Sequence, residues 1–212
     1  MLQASLSEAC KKRIPSKRSR MKLWRHLPLL ALLVLFPAIT MAETYQIDES
    51  NSKVSFKVRN VVGSVTGYFT SFRGIVNYVP DRLNESRCSA VIQVASIDTG
   101  IKERDTHLQA PDFFNVAKFP TITFQSTSVR PTNDRSGEVE GQLTMHGVTR
   151  PVTLSVQLVQ PATAGKEAVW QATTHLSRKS FGLSWNGLIE ASQAVGDDIQ
   201  ITLDIHGALK KS

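Results

Sequence analysis

The sequence predicts an antiparallel all-β domain, and three observations carry that prediction. Apolar and polar residues alternate in short runs, as in Val54, Phe56 and Val58 set against Lys53, Ser55 and Lys57. A period of two marks a half-buried strand. Clusters of Gly, Pro, Asn, Asp and Ser separate the runs, at residues 48–52, 80–81 and 131–137. No long amphipathic helix and no internal repeat interrupts them. Strands of this kind build either a sandwich or a closed barrel.

Residues 1–42 are set apart from that domain. Residues 21–26 form a short basic start, residues 27–39 are apolar apart from Pro28 and Pro37, and Thr40-Met41-Ala42 supplies small residues before Glu43. This is the pattern of a cleavable signal peptide over 21–42. Its apolar run of 13 residues falls short of the roughly 20 a spanning helix needs. Residues 1–20 precede a second start at Met21 and read as an over-extended start. The folded domain is expected at 43–212, with no stable membrane span once the leader is removed.

Removing the leader changes the charge argument. The chain carries a formal +7, but eight basic residues and one acid lie within residues 1–42, so the remainder is neutral. The basic character thus belongs to the leader and gives no support for nucleic-acid binding by the domain. Only Cys88 remains after the leader, so no internal disulfide is available.

Taken in order, residues 44–47 are a short first strand and residues 53–58 a clean second one. Residues 62–74 are β-rich but spaced by Gly63, Gly67 and Gly74. Glycine in a strand pattern signals a bulge, a corner or a close approach. Residues 75–79 and 89–95 are strands around a polar loop at 83–87. The alternation then stops over residues 101–124. Lys102 to Gln109 suits about two helical turns, ended by Ala110-Pro111 because the residue before proline leaves the helical region. Strands resume at 121–129, 139–144 and 148–159, with His146-Gly147 as a tight hairpin turn. Residues 161–167 are a turn, 168–176 a strand and 177–187 a loop. Gly196-Asp197-Asp198 turns into a last strand with Ile199, Ile201, Leu203 and Ile205 on one face.

The chemistry is sparse. His107, His146, His175 and His206 lack the spacing of a preformed metal site, so no metal or other cofactor is expected. No Gly-x-Ser-x-Gly elbow is present. Cys88 has no evident base partner and reads as an inert thiol. Arg104, Asp105 and His107 are the one compact polar constellation. It fits a base with an orienting acid, a polar cradle for a ligand head group, or a structural role in which Asp105 accepts backbone N–H groups near the helix start. Phe113, Phe114, Phe119 and Phe124 gather around two prolines, as a loop plug in a filled core or as the lining of a cavity. An apolar chain could bind such a lining with no reactive residue, at ~0.8 kcal/mol per buried methylene.

Several stretches together resemble the YceI-like family. Arg104-Asp105-x-His107-Leu108, Phe113-Phe114 and Phe119-Pro120-x-Ile122-x-Phe124 carry the resemblance first. It continues in Leu143-Thr144-Met145-His146-Gly147, Arg178-x-x-Phe181-Gly182-Leu183 and Val195-Gly196-Asp197-Asp198-Ile199. Upstream, Tyr45-x-Ile47-Asp48 and Gly67-x-Phe69-x-x-Phe72-x-Gly74 fit as well, so nearly all of 44–208 is covered in order. The family often has His-Ser where this chain has Asn51-Ser52, and a histidine near Arg59-Asn60. Were those histidines to contact a head group, this chain's preference would differ.

The resemblance implies an antiparallel lipocalin-like β-barrel of about eight strands with one short helical connection near 101–110. It implies a periplasmic protein that binds a long-chain isoprenoid or acyl lipid, quinone-like, for carriage, storage or stress protection, without turnover. The expected wall residues are Val54, Phe56, Val58 and Phe69 early in the chain, Ile122 and Phe124 in the middle, and Leu154, Val156 and Ile201 late. Phe113, Phe114 and Phe119 are expected from the connection, with Arg104, Asp105 and His107 as a polar group beside them. Two other readings stand beside this one. The first is an enzyme acting on a lipid head group through Arg104, Asp105 and His107. The second is a ligand-free envelope interaction protein with a solid interior. The oligomeric state is open, a homodimer included.

Overall fold

The computed structural model describes residues 42–61, 63–162, 167–184 and 195–210. The expected leader up to residue 41 lies outside them, as do parts of the expected 161–167 turn and 177–187 loop. The strands in chain order are β1 (Glu43–Ile47), β2 (Lys53–Asn60), β3 (Gly63–Phe69), β4 (Phe72–Tyr78), β5 (Arg87–Gln93) and β6 (Ile97–Asp98). After helix α1 (Lys102–Gln109) come β7 (Thr121–Asn133), β8 (Ser136–Met145), β9 (Val148–Gln160), β10 (Ala168–Ser177) and β11 (Val195–Leu209).

Eight strands close a ring in the order β1-β4-β5-β7-β8-β9-β10-β11, with β11 returning to β1, all antiparallel. Closure removes the free sheet edges that would otherwise invite pairing with another chain. The strand that closes the ring is unusually long. β11 pairs β10 along one side, while its other side is shared by β2 (Leu203 opposite Val54, Ile199 opposite Val58) and β1 (Gly207 opposite Ile47). The chain passes from β1 to β2 through a turn in which Asp48 accepts the Ser50 N–H at 3.0 Å and the Asn51 side-chain amide at 2.7 Å.

Register fixes which side chains face inward, because directly opposed residues share a face. Ile92 lies opposite Ile122, Ala90 opposite Phe124, and Phe124 in turn opposite Leu143. A slip between Ser126 and Ser128 in β7 then reverses parity, so the inward row continues at Val129 and Pro131. In β3, a side chain at Gly67 would collide with the Phe56 ring lying across it. The expected close approach at that glycine is therefore made by a neighbouring side chain.

Two expected turns differ. Residues 131–137 are mostly strand. β7 and β8 run on to a two-residue connection at Asp134-Arg135, held by Asn133 accepting the Arg135 N–H at 2.9 Å. Pro131 fits within the ladder because it sits at a second bulge, opposite Gly137. Gly196-Asp197-Asp198 is also no turn. β11 starts at Val195 opposite Asn60, and the three residues bulge before pairing resumes at Ile199. The Asp197 carboxylate holds this bulge to the end of β10, accepting the Ser177 hydroxyl at 2.8 Å and the Lys179 N–H at 2.9 Å.

The His146-Gly147 hairpin forms as expected. Both residues have positive φ, 52° and 74°, the pairing a type I′ turn requires. A side chain at Gly147 would meet the Phe119 ring at 2.5 Å. The position therefore demands glycine for its backbone and for its neighbour.

Candidate functional site

The barrel is hollow. A cavity of about 450 Å³ runs inside it, lined almost wholly by apolar side chains from the ring strands, β2, β3 and the 101–124 connection. A packed cluster lies towards each end. At the helix end Leu108, Phe113, Phe114, Phe181 and Leu183 pack with Phe69 and Phe72. At the opposite end, beside the β7–β8 hairpin, Tyr45, Leu158, Ala168 and Trp170 pack with Tyr78.

The expected wall residues are where parity placed them. Val54, Phe56 and Val58 in β2, Phe69 in β3, and Ile122 and Phe124 in β7 all line the cavity. So do Leu154 and Val156 in β9 and Ile201 in β11. From the connection, Phe113 and Phe114 line it, their rings edge to face at 5.2 Å, and Phe114 meets Phe69 at 6.4 Å. Backbone hydrogen bonds fold the connection into this cap. Phe114 N–H donates to Leu108 O at 3.0 Å, and Val116 N–H to Gln109 O at 3.2 Å. Asn115 takes a positive φ of 49°, which asparagine tolerates. Phe119 N–H then bonds Asn115 O at 2.8 Å.

Phe119 itself is a correction, because its ring does not face the cavity. It packs against His146 at 4.8 Å, under the β8–β9 hairpin, with the Lys118 ammonium 5.2 Å from its centre. The reversal at Asn115 carries the chain outward before β7 begins, so Phe119 serves the outside of the barrel end.

The polar constellation also divides. Arg104 lines the cavity and donates through Nε to Thr99 Oγ1 at 2.7 Å and through Nη2 to Thr99 O at 2.8 Å. Asp105 accepts the Thr99 N–H at 2.9 Å and the Thr99 hydroxyl at 2.5 Å. It fixes the start of α1 and does not face the cavity, which is the structural role the sequence allowed. His107 points to solvent and pairs with Asp112 at 3.0 Å. Arg104 and Asp105 are taken up by Thr99 and His107 by Asp112, so the three do not converge as a base, its orienter and a head-group cradle.

Three of the lining residues that sequence reasoning did not name matter most. Trp170, from β10, stands edge-on to Tyr45 at 5.2 Å and to Tyr78 at 6.1 Å. Arg178 is 3% exposed and lines the helix end, where its guanidinium donates to the carbonyls of Gly196, Leu183 and Val195 at 2.9, 2.8 and 3.1 Å. Asn60 is the next inward position after Val54, Phe56 and Val58, and it too lines the cavity. Alternation alone could have found Asn60 and Trp170. Arg178 needs the bulge at 196–198, which brings carbonyls around it.

Reactive groups are scarce among the described residues. Cys88 lines the cavity, and burial pushes its thiol up to about 11, against a weaker downward pull from Ser126. At neutral pH it is a protonated, unreactive thiol. His175 and His206 pair separately with Asp198 at 2.9 Å and Glu167 at 2.8 Å. No three of His, Cys, Asp and Glu gather to hold a metal among the described residues. No helix among them is long and apolar enough to cross a membrane.

Comparison with known proteins agrees with this architecture. The UPF0312 protein of Ectopseudomonas mendocina is 34% identical over 188 residues, spanning 84% of this chain and 96% of its own. Protein YceI of Salmonella newport is 32% identical over 188 residues, spanning 86% and 95%. The crystal structure of Burkholderia cenocepacia BcnA superposes with a TM-score of 0.70 at 26% identity, covering 76% of this chain and 98% of that one. A polyisoprenoid binding domain from Saccharophagus degradans, implicated in plant cell wall breakdown, shares the fold at a TM-score of 0.60 and 15% identity, covering 78% and 98%. Residues 45–207 match the YceI-like domain across the whole closed barrel, and the chain belongs to the YceI-like family.

Proposed function

We propose that this protein is a binding protein that holds a long isoprenoid or acyl chain inside its barrel, shielding it from water for carriage, storage or stress protection. The hollow apolar interior of about 450 Å³ carries the reading. A solid interaction barrel has no use for such a space, and dry apolar cavities of this kind take apolar guests. Binding here draws on desolvation and dispersion and needs no converged acid, base or nucleophile. The polyisoprenoid binding domain of Saccharophagus degradans, which shares the fold, supports an isoprenoid as the class of guest. The leader pattern at 21–42 supports export to the periplasm.

Mass spectrometry of an organic extract of the protein, expressed with its leader and recovered from the periplasm, tests the reading. A long-chain lipid near one per protein is expected. Phe124→Arg puts a charge in the wall of the cavity and should lose that lipid while retaining a β-sheet circular dichroism spectrum. Lipid-free protein that also fails to take up geranylgeraniol would overturn the carrier reading. Recovery of the protein only from the cytoplasm would overturn the location.

A further inference from the structure

We infer that the bound molecule presents a hydroxyl to Asn60, so that the protein selects a prenyl chain ending in a hydrogen-bond donor over one with a capped end. This rests on the binding reading above and narrows it to a class of head group. Asn60 ends the inward row of β2, one step past Val58, and lines the cavity. Its Oδ1 is shielded from solvent and has no hydrogen-bond partner, the one such side-chain atom among the described residues. Buried polar atoms are almost always paired, so an orphan beside a cavity points to a partner that arrives with the ligand.

The surroundings say which chemistry that partner has. Asn60 lies across the ladder from Val195, whose carbonyl already takes an N–H of Arg178. Arg178 also bonds the carbonyls of Gly196 and Leu183, and Arg104 bonds Thr99. Both arginines are thus engaged with oxygens of the protein, and the group left over is an acceptor. An acceptor is satisfied by an O–H or N–H on the guest. An alkyl ether or a hydrocarbon terminus has neither. The hairpin end also has polar lining residues, Arg87, Asp134 and Arg135, but no buried side-chain atom without a partner among the described residues, so the oxygen of Asn60 sets which end of the chain lies beside Arg178 and which lies beside Trp170.

The test uses the delipidated full-length protein with two probes, geranylgeraniol and its methyl ether, which differ only in the donor. Displacement of a fluorescent fatty acid reads both affinities in the native protein and in Asn60→Leu. The native protein should bind the alcohol about tenfold more tightly than the ether, a ratio equivalent to about 1.4 kcal/mol. Asn60→Leu should bind both equally while keeping the ether affinity of the native protein, which also shows that it has folded. Equal affinities in the native protein would overturn the inference and leave the carrier reading standing, as would a preference for the alcohol that survives in Asn60→Leu. Failure of the native protein to bind either probe would overturn the carrier reading, and this inference with it.

Discussion

The two ends of the barrel are packed by different means. At the hairpin end the plug is built from the wall itself. Tyr45, Leu158 and Trp170 belong to strands of the barrel, and the Trp170 ring packs edge-on against those of Tyr45 and Tyr78. The polar atom there is satisfied locally, since the Tyr45 hydroxyl donates to Glu43 at 2.5 Å. At the helix end the cap is an inserted segment. Phe113 and Phe114 hang from α1, a helix whose one buried residue is Leu108. That end holds Arg178 and the unpaired oxygen of Asn60. One end is packed as a protein core, and the other keeps a buried oxygen for which the described residues supply no partner.

Four substitutions break or sharpen this contrast, beginning with the largest effect. Trp170→Ala removes the central ring of the hairpin-end plug and should cost about 3–5 kcal/mol of stability in urea denaturation, the usual range for a large buried aromatic. It leaves the helix end intact, so any lipid uptake that remains should keep its preference between alcohol and ether. A cost below about 1 kcal/mol would show that the plug is not core. Arg178→Lys should cost about 2–3 kcal/mol, because a single ammonium cannot reach three carbonyls arranged for a planar fork, and buried acceptors are left unpaired. A near-neutral result would remove the bulge at 196–198 from the account of this end.

Tyr45→Phe should cost about 1 kcal/mol, the worth of one ordinary hydrogen bond. The same residue gives a pH signature. Burial first, then Glu43, raises its phenol above the ordinary 10. Its contribution is therefore complete below pH 10 and is lost as pH rises above that, where the unfolded chain ionises first. Tyr45→Phe should flatten the fall in stability above pH 10, and an unchanged slope would rule that origin out. The smallest effect belongs to His107→Ala. Its ring is about half exposed and its partner Asp112 more so, so stability should move by less than about 0.5 kcal/mol. Lipid uptake should not change. A loss of uptake would return His107 to the site.

The difference between the ends also explains what could be read from the chain beforehand. Val54, Phe56 and Val58, or Leu154 and Val156, sit in strands whose period of two is itself the consequence of having one wet and one dry face. Their placement follows from spacing alone. The connection has no such period. Phe113, Phe114 and Phe119 look equivalent in sequence, yet the αL turn at Asn115 sends the last of them to the other side of the wall. Arg104, Asp105 and His107 look like one constellation, yet Thr99 takes the first two and solvent the third. In both cases hydrogen bonds, of the backbone at Asn115 and of side chains at Thr99 and Asp112, decide the direction of a side chain, and no local pattern announces those pairings. Asn60 is intermediate. Its parity was legible, but its missing partner is visible only when every neighbour is in place.

The long final strand has a consequence for how the chain matures. β11 is the common neighbour of β1, β2 and β10, so one edge of β1 and one edge of β2 stay unpaired until the last strand has arrived. Closure joins residues about 160 positions apart, and contacts of that span form late and slowly. A chain delivered with its N-terminus first cannot close its barrel until β11 is free to pair. Any lipid loaded during that interval would enter from the side, before there is a barrel to enter through its end.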